Sequence, residues 1–200
     1  MLDTYANLKA AIGDFLDRDD LTQVDDFIDM AEARHKREII IREMLTRAQA
    51  TASGRYLALP SRFNKMRTLR LLTSPITVLT ELNLDSMNRE RDVSGKPTFY
   101  TIHEEIEFDT VPDDGYTVEM IYYANLLPLD ESNPTNALLL RAPDAYLYGA
   151  LVASAPLLVA DERIQTWEVL YGAARDGLLL SDRQSRVGVS LVSRVVGATP

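Results

Sequence analysis

The sequence predicts an α+β fold in which helices from both chain ends pack as a bundle of about four and an antiparallel β domain is inserted between them. Three observations predict it. Apolar residues recur at helical spacing up to about residue 46, alternate every second residue from Arg47 onward, and return to helical spacing from Asn133. This places a helical lobe at 1–46 with 129–182, a β lobe at 47–128 and an extended C-terminal arm at 183–200. With 200 residues, 46% of them hydrophobic, the chain can bury one sizeable core or one core and a smaller satellite.

Thr4 is an N-cap residue, and Tyr5, Leu8, Ile12, Phe15 and Leu16 follow it at three- and four-residue spacing, so a first amphipathic helix is expected, ending in the turn Asp17-Arg18-Asp19-Asp20. Asn7 stands where an acid would complete a capping box. A second helix is expected from about Thr22, with Val24, Phe27, Ile28, Ala31 and His35 on its apolar stripe and Asp25, Asp26, Asp29 and Glu32 on the other side. The two form a hairpin.

From Arg47 the period becomes two, and Gly54 breaks the run before Tyr56-Leu57-Ala58-Leu59-Pro60. Strands are expected on either side of Thr73-Ser74-Pro75, with a short helix beginning within Thr80–Leu84 and a polar loop from Asn88 to Lys96. Tyr100, Ile102, Ile106 and Phe108 alternate around Glu104-Glu105 as a hairpin requires. After the turn Pro112-Asp113-Asp114-Gly115, Tyr116, Val118, Met120 and Tyr122 share one face of a further strand.

Helical spacing resumes with Asn133 as cap and Pro134 at the first position, and Pro143 restarts or kinks the helix. Tyr146 to Ala155 is apolar nearly all round, which predicts the most buried helix, with Gly149 and Ala153 admitting a close neighbour and Pro156 ending it. Ile164, Trp167, Tyr171, Ala174 and Leu178 form the stripe of one more helix. No acid follows Asp182, and Arg183, Arg186 and Arg194 flank a β-prone run containing Val189 and Leu191. That arm is read as a docking element for a partner, by strand addition with its arginines on partner carboxylates, the competing reading being an ordinary loose chain end.

Composition excludes several chemistries. There is no cysteine and there are two histidines, His35 on an apolar stripe and His103 at a hairpin tip, with no HExxH spacing, so no metal site is expected. GxSxG, GxxxxGK[ST] and GxGxxG are missing, and no catalytic residue or cofactor is assigned. The adjacent carboxylates Glu104/Glu105 and Asp113/Asp114 lie on turns, unlike a glycosidase pair held about 5 to 9 Å apart across a cleft. The basic run Arg34-His35-Lys36-Arg37 lies among Glu32, Glu38 and Glu43 and is read as intrahelical pairing. A net charge of -9 argues against holding duplex DNA; it is read first as an ordinary device for solubility, and it also suits a protein that lets nucleic acid pass without holding it. Neither a signal peptide nor a membrane span is expected. Among the nine tyrosines, Tyr122, Tyr123 and Tyr148 are subunit-interface candidates, although core packing alone would also explain most of them.

The stretch Asn136-Ala137-Leu138-Leu139, then Pro143-Asp144-Ala145-Tyr146-Leu147-Tyr148-Gly149-Ala150-Leu151, Asp161-Glu162-Arg163 and Trp167 resembles the head-to-tail adaptor, or head completion, proteins of tailed bacteriophages, the group that includes tail tubular A proteins. Thr4–Lys9, Ala31–Arg34, Tyr56–Pro60 and Pro97 with Tyr100 and Ile102 extend the likeness to about Arg183. The resemblance implies a non-enzymatic structural subunit of the virion neck that joins other copies of itself in a dodecameric ring. It also implies a portal protein on one side, a tail or nozzle protein on the other, and DNA passing through the lumen. Two other readings are kept: a tail-associated peptidoglycan hydrolase and a cytoplasmic oligomer unrelated to phage.

Overall fold

The structure, a computed structural model, describes residues 1–18, 21–87, 93–157 and 162–186. The chain divides into a helical unit, Met1–Ile41 with the chain from Leu127 onward, and a β unit, Arg42–Leu126. It is α+β: helices from the two ends pack together, and the inserted seven-stranded sheet is mostly antiparallel.

In the helical unit, α1 (Tyr5–Leu16) begins as its sequence dictates, with Thr4 extended and its hydroxyl accepting the Asn7 N–H at 3.3 Å. Asn7 cannot close a capping box and instead donates its side-chain amide to Asp3 (2.9 Å) and to the Met1 carbonyl (3.1 Å). Asp17 ends the helix at φ 53, a left-handed conformation that Asp tolerates better than most residues. Tyr5, Leu8, Ile12 and Leu16 are buried, whereas Phe15, expected on the same stripe, is 45% exposed because the stripe steps by four from Leu8 to Leu16 and leaves it at the margin.

Helix α2 (Val24–Glu38) buries the five stripe residues expected of it. It also buries Glu32, which the sequence reading assigned to the polar side; four residues after Ile28 and three before His35, Glu32 lies on the apolar stripe.

The third helical stretch starts later than expected. Asn136, not Asn133, is the cap: its Oδ1 accepts the Leu139 N–H at 2.9 Å, and α4 (Ala137–Arg141) follows. Asn133 is held in a loop, its N–H on Asp130 and its amide on the Pro128 carbonyl, while the Pro134 carbonyl accepts the Tyr5 N–H. Pro143 opens α5 (Pro143–Ala153), which packs against α1, α2, α4 and α6 (Arg163–Arg186). A Cβ at Gly149 would meet His35 Nε2 at 3.2 Å, Ala31 Cβ at 3.3 Å and Tyr171 Cε2 at 3.4 Å, so the α2–α5–α6 junction is built around a missing side chain. Helix α6 buries Trp167, Tyr171, Leu178 and Asp182 and continues past its expected end, so Arg183 and Arg186 are helical, not the start of an arm.

The β unit opens with a short 3-10 turn at Arg42–Met44 and contains β1 (Leu45–Ala52), β2 (Tyr56–Ala58), β3 (Phe63–Leu71), β4 (Thr77–Glu81), α3 (Leu84–Met87), β5 (Phe99–Ile102), β6 (Glu105–Phe108) and β7 (Tyr116–Ala124). Thr80 and Glu81 belong to β4 and pair in parallel with Phe99 and Tyr100, so the expected helix starts only at Leu84, behind Asn83. The sheet order is β1-β7-β3-β4-β5-β6-β2. The β5–β6 hairpin has the register its alternation predicts, Tyr100 opposite Phe108 and Ile102 opposite Ile106. Met66, Leu69, Leu71, Leu79, Tyr100, Ile106, Phe108, Val118, Met120 and Tyr122 enclose one apolar core, which draws both halves of the sheet around it.

Candidate functional site

Three places in the molecule gather polar or charged side chains. The first is a seam inside the helical unit. Glu32 accepts the Leu129 N–H at 2.8 Å and the Tyr146 hydroxyl at 3.0 Å, and Tyr146 in turn accepts from Asn136 at 2.6 Å. Burial pushes the Glu32 carboxyl above its ordinary range, and these two donors only partly offset it. Two residues along α2, Arg34 bonds Glu168 through both terminal nitrogens (2.8 and 2.5 Å) and Glu38 through Nε (2.9 Å), lying over the Tyr171 ring at 4.0 Å. Glu38 also accepts from Arg175 (2.9 Å) and the Tyr171 hydroxyl (3.1 Å). Burial acts to raise the Glu38 carboxyl, but the donors from Arg175, Arg34 and Tyr171 overcome it and hold it at about 2.

His35 sits between the Tyr146 and Tyr171 rings, at centroid distances of 4.7 and 5.9 Å. Burial pushes its imidazole down to about 4, opposed by the nearby Ala145 carbonyl, although neither ring nitrogen makes a hydrogen bond of good geometry. The histidine, held neutral by burial, packs between the tyrosine rings beside Glu38, whose carboxylate is bound to Arg34 and Arg175. The seam is structural: it joins α2, α5 and α6.

The second place is the C-terminal end of α6. Asp182 is 2% exposed, yet charged partners surround it: Arg186 at 2.6 Å, one turn along the same helix, and Arg141 of α4 at 3.6 Å. Arg141 also reaches Ser181 at 3.4 Å, and a surface hollow of about 300 Å³ is lined there by Arg141, Asp144, Gly177 and Ser181. Of the proposed docking residues, Arg183 is exposed on α6, Arg186 is bonded to Asp182, and Val189, Leu191 and Arg194 lie outside the described residues.

The third place is the outer face of the sheet. Arg70 of β3 binds Glu119 of β7 across the strands, and Arg55 lies 4.0 Å from Glu107. Of the tyrosines named as interface candidates, Tyr122 faces the core and stacks near Phe63 at 5.7 Å, Tyr123 is also buried, and Tyr148 is half-buried. Periodicity carries the signal for the two buried acids: Glu32 and Asp182 both fall at stripe spacing, four residues after Ile28 and Leu178. An acid at such a position must be buried with partners. The Arg34–Glu168 fork had no such signal, since 134 residues separate the two.

Among the described residues, no group of three or more His, Asp or Glu could hold a metal ion, and no helix is long and apolar enough to cross a membrane. A model of the SU10 adaptor protein family matches residues 3–194, nearly the whole chain. A search of curated proteins finds no match. The match places the chain in the SU10 adaptor protein family, a family of phage adaptor proteins.

Proposed function

We propose that this member of the SU10 adaptor family is a head-to-tail connector subunit, copies of which form a ring, dodecameric as in the adaptors it resembles, between portal and tail, with DNA passing through the lumen. The observation that carries the reading is the family match over residues 3–194. The geometry supports it in kind: arginine–carboxylate contacts join helix to helix within the helical unit and strand to strand within the β unit, and the net charge of -9 gives little hold on phosphates. Its place is then the virion neck, and its chemistry is binding, not turnover.

The C-terminal residues are proposed as the docking segment. In this reading α6 projects Arg183 beside the Asp182–Arg186 pair, and residues 187–200, with Val189, Leu191 and Arg194, bind the portal or a neighbouring copy.

Purified chain mixed with particles that carry the portal but lack the neck tests both statements. Co-sedimentation and a ring of density on the portal vertex are expected. A chain that stays in the supernatant counts against the connector role. Deleting residues 188–200 is expected to leave the melting temperature unchanged and remove docking. Full docking by the truncated chain would exclude these residues as the docking segment, and loss of folding would assign them to the core.

A further inference from the structure

The β unit is electrically polarised. Between Arg42 and Leu71 the sequence carries seven Lys or Arg and one acid, Glu43, whereas between Phe99 and Glu119 it carries seven acids and no Lys or Arg. Ion pairing removes part of each excess: Arg70 takes Glu119, Arg55 faces Glu107 and Arg42 meets Glu43, while Asp109 and Asp113 accept from the neutral hydroxyls of Thr98 and Tyr116 and keep their charge.

Two groups of the remaining charges are each set close together on exposed strand or hairpin positions. Arg47 of β1 and Lys65 of β3 flank β7 on its outer side, opposite Ile121 and Tyr123 respectively, and Arg67 is exposed at the register shift beside them. Among the described residues none of these three cations has a carboxylate partner. At the tip of the β5–β6 hairpin, Glu104 and Glu105 are exposed, again with no ion pair among the described residues. The hairpin lies beyond β4 in the sheet, two and three strand positions from β3.

We propose that the acidic β5–β6 tip of one copy docks on the basic β1–β3 face of the next. The two patches differ, so the contact is heterologous, and such a contact repeats from copy to copy until the rotation closes a ring. The proposal rests on the connector reading and names the surfaces by which copies meet. Exposed ion pairs are individually weak and screened by salt, so the contact steers and orients copies that the portal has concentrated, and a dilute chain stays largely monomeric.

The sequence has no cysteine, so introduced ones report the contact without background. Gln49→Cys, on β1 beside Arg47, and His103→Cys, at the hairpin tip, are placed in one chain and joined by a short bis-maleimide at low ionic strength. A covalent ladder is expected. The ladder should fall at least tenfold in a chain that also carries R47E/K65E/R67E, and equally in one carrying E104K/E105K. It should return when the two reversed chains are mixed, because the acidic face of one then meets the basic tip of the other. Melting temperatures establish that both variants are folded; if either melts lower, the neutral set R47Q/K65Q/R67Q replaces it and must reduce the ladder alone. No ladder from the parent chain, a ladder that survives reversal, or no recovery on mixing would overturn the proposal. Duplex DNA oligonucleotide bound by the basic face, with the ladder untouched by reversal, would overturn it too. Portal co-sedimentation of the same chains scores the connector reading separately: binding without a ladder leaves the adaptor role standing and removes this interface.

Discussion

In the helical unit, charged side chains pair across great distance in sequence, Arg34 with Glu168 and Glu38 with Arg175, whereas in the β unit they pair across the sheet, Arg70 with Glu119. The helical pairs surround a buried neutral histidine, and the β unit encloses a core of aliphatic and aromatic side chains. The difference teaches where each unit is vulnerable. The helical unit depends on protonation states as well as packing, and the β unit depends chiefly on packing.

The largest expected effects come from emptying each core. Tyr171→Ala removes a fully buried ring from the α2–α5–α6 junction and should cost the helical unit about 3–5 kcal/mol. Phe108→Ala should cost the β unit a similar amount, about 3–5 kcal/mol. Trp167, the single tryptophan, lies in the helical unit, so its fluorescence in urea reports that unit. The first substitution should shift the fluorescence transition strongly. An equal shift from Phe108→Ala would show that the two units unfold as one.

Acid sharpens the comparison. His35 is held neutral in the fold, its folded value of about 4 lying below the ordinary 6.5. Its contribution is therefore fully present above pH 6.5 and lost as pH falls toward 4, amounting to about 3 kcal/mol. Glu38, held at about 2 against an ordinary 4.5, adds a second loss between those values. Glu32, raised by burial, acts in the opposite sense and favours the fold on protonation. The charged and titratable groups around His35 are Arg34 and Glu38 on α2, Tyr146 on α5, and Tyr171 and Arg175 on α6. Urea midpoints followed by Trp167 should fall between pH 6.5 and 4, and His35→Phe should flatten that limb. An unchanged slope in His35→Phe would remove the histidine from the account.

Gly149→Val should destabilise by about 1–3 kcal/mol, because its Cβ alone enters contacts of 3.2 to 3.4 Å with α2 and α6. Gly149→Ala should cost less. Smaller still is the coupling between Arg34 and Glu168, which are partly exposed: a double-mutant cycle with Arg34→Met and Glu168→Gln should return about 0.5–1 kcal/mol. A cycle energy of zero would reduce the fork to a surface contact.

The sequence by itself determined what depends on near neighbours. The change of period at Arg47 announced the sheet, Thr4 and Asp17 bounded α1, alternation around Glu104-Glu105 set the β5–β6 register, and an apolar surface around Gly149 marked α5 as central. Each signal is a repeat or a cap readable within a dozen residues. Tertiary structure decided the rest. β7 enters between β1 and β3, and β4 pairs in parallel with β5, choices that depend on which distant segments share a core. Asn136 caps in place of Asn133 because Asn133 and Pro134 are tied into the loop that meets Tyr5. Glu32 and Asp182 are buried because Tyr146, the Leu129 N–H, Arg186 and Arg141 reach them there. Arg186 is held in α6 by that same acid. A carboxylate's place, unlike a leucine's, is settled by the partners that the fold brings to it, and those partners lie too far along the chain for periodicity to reveal.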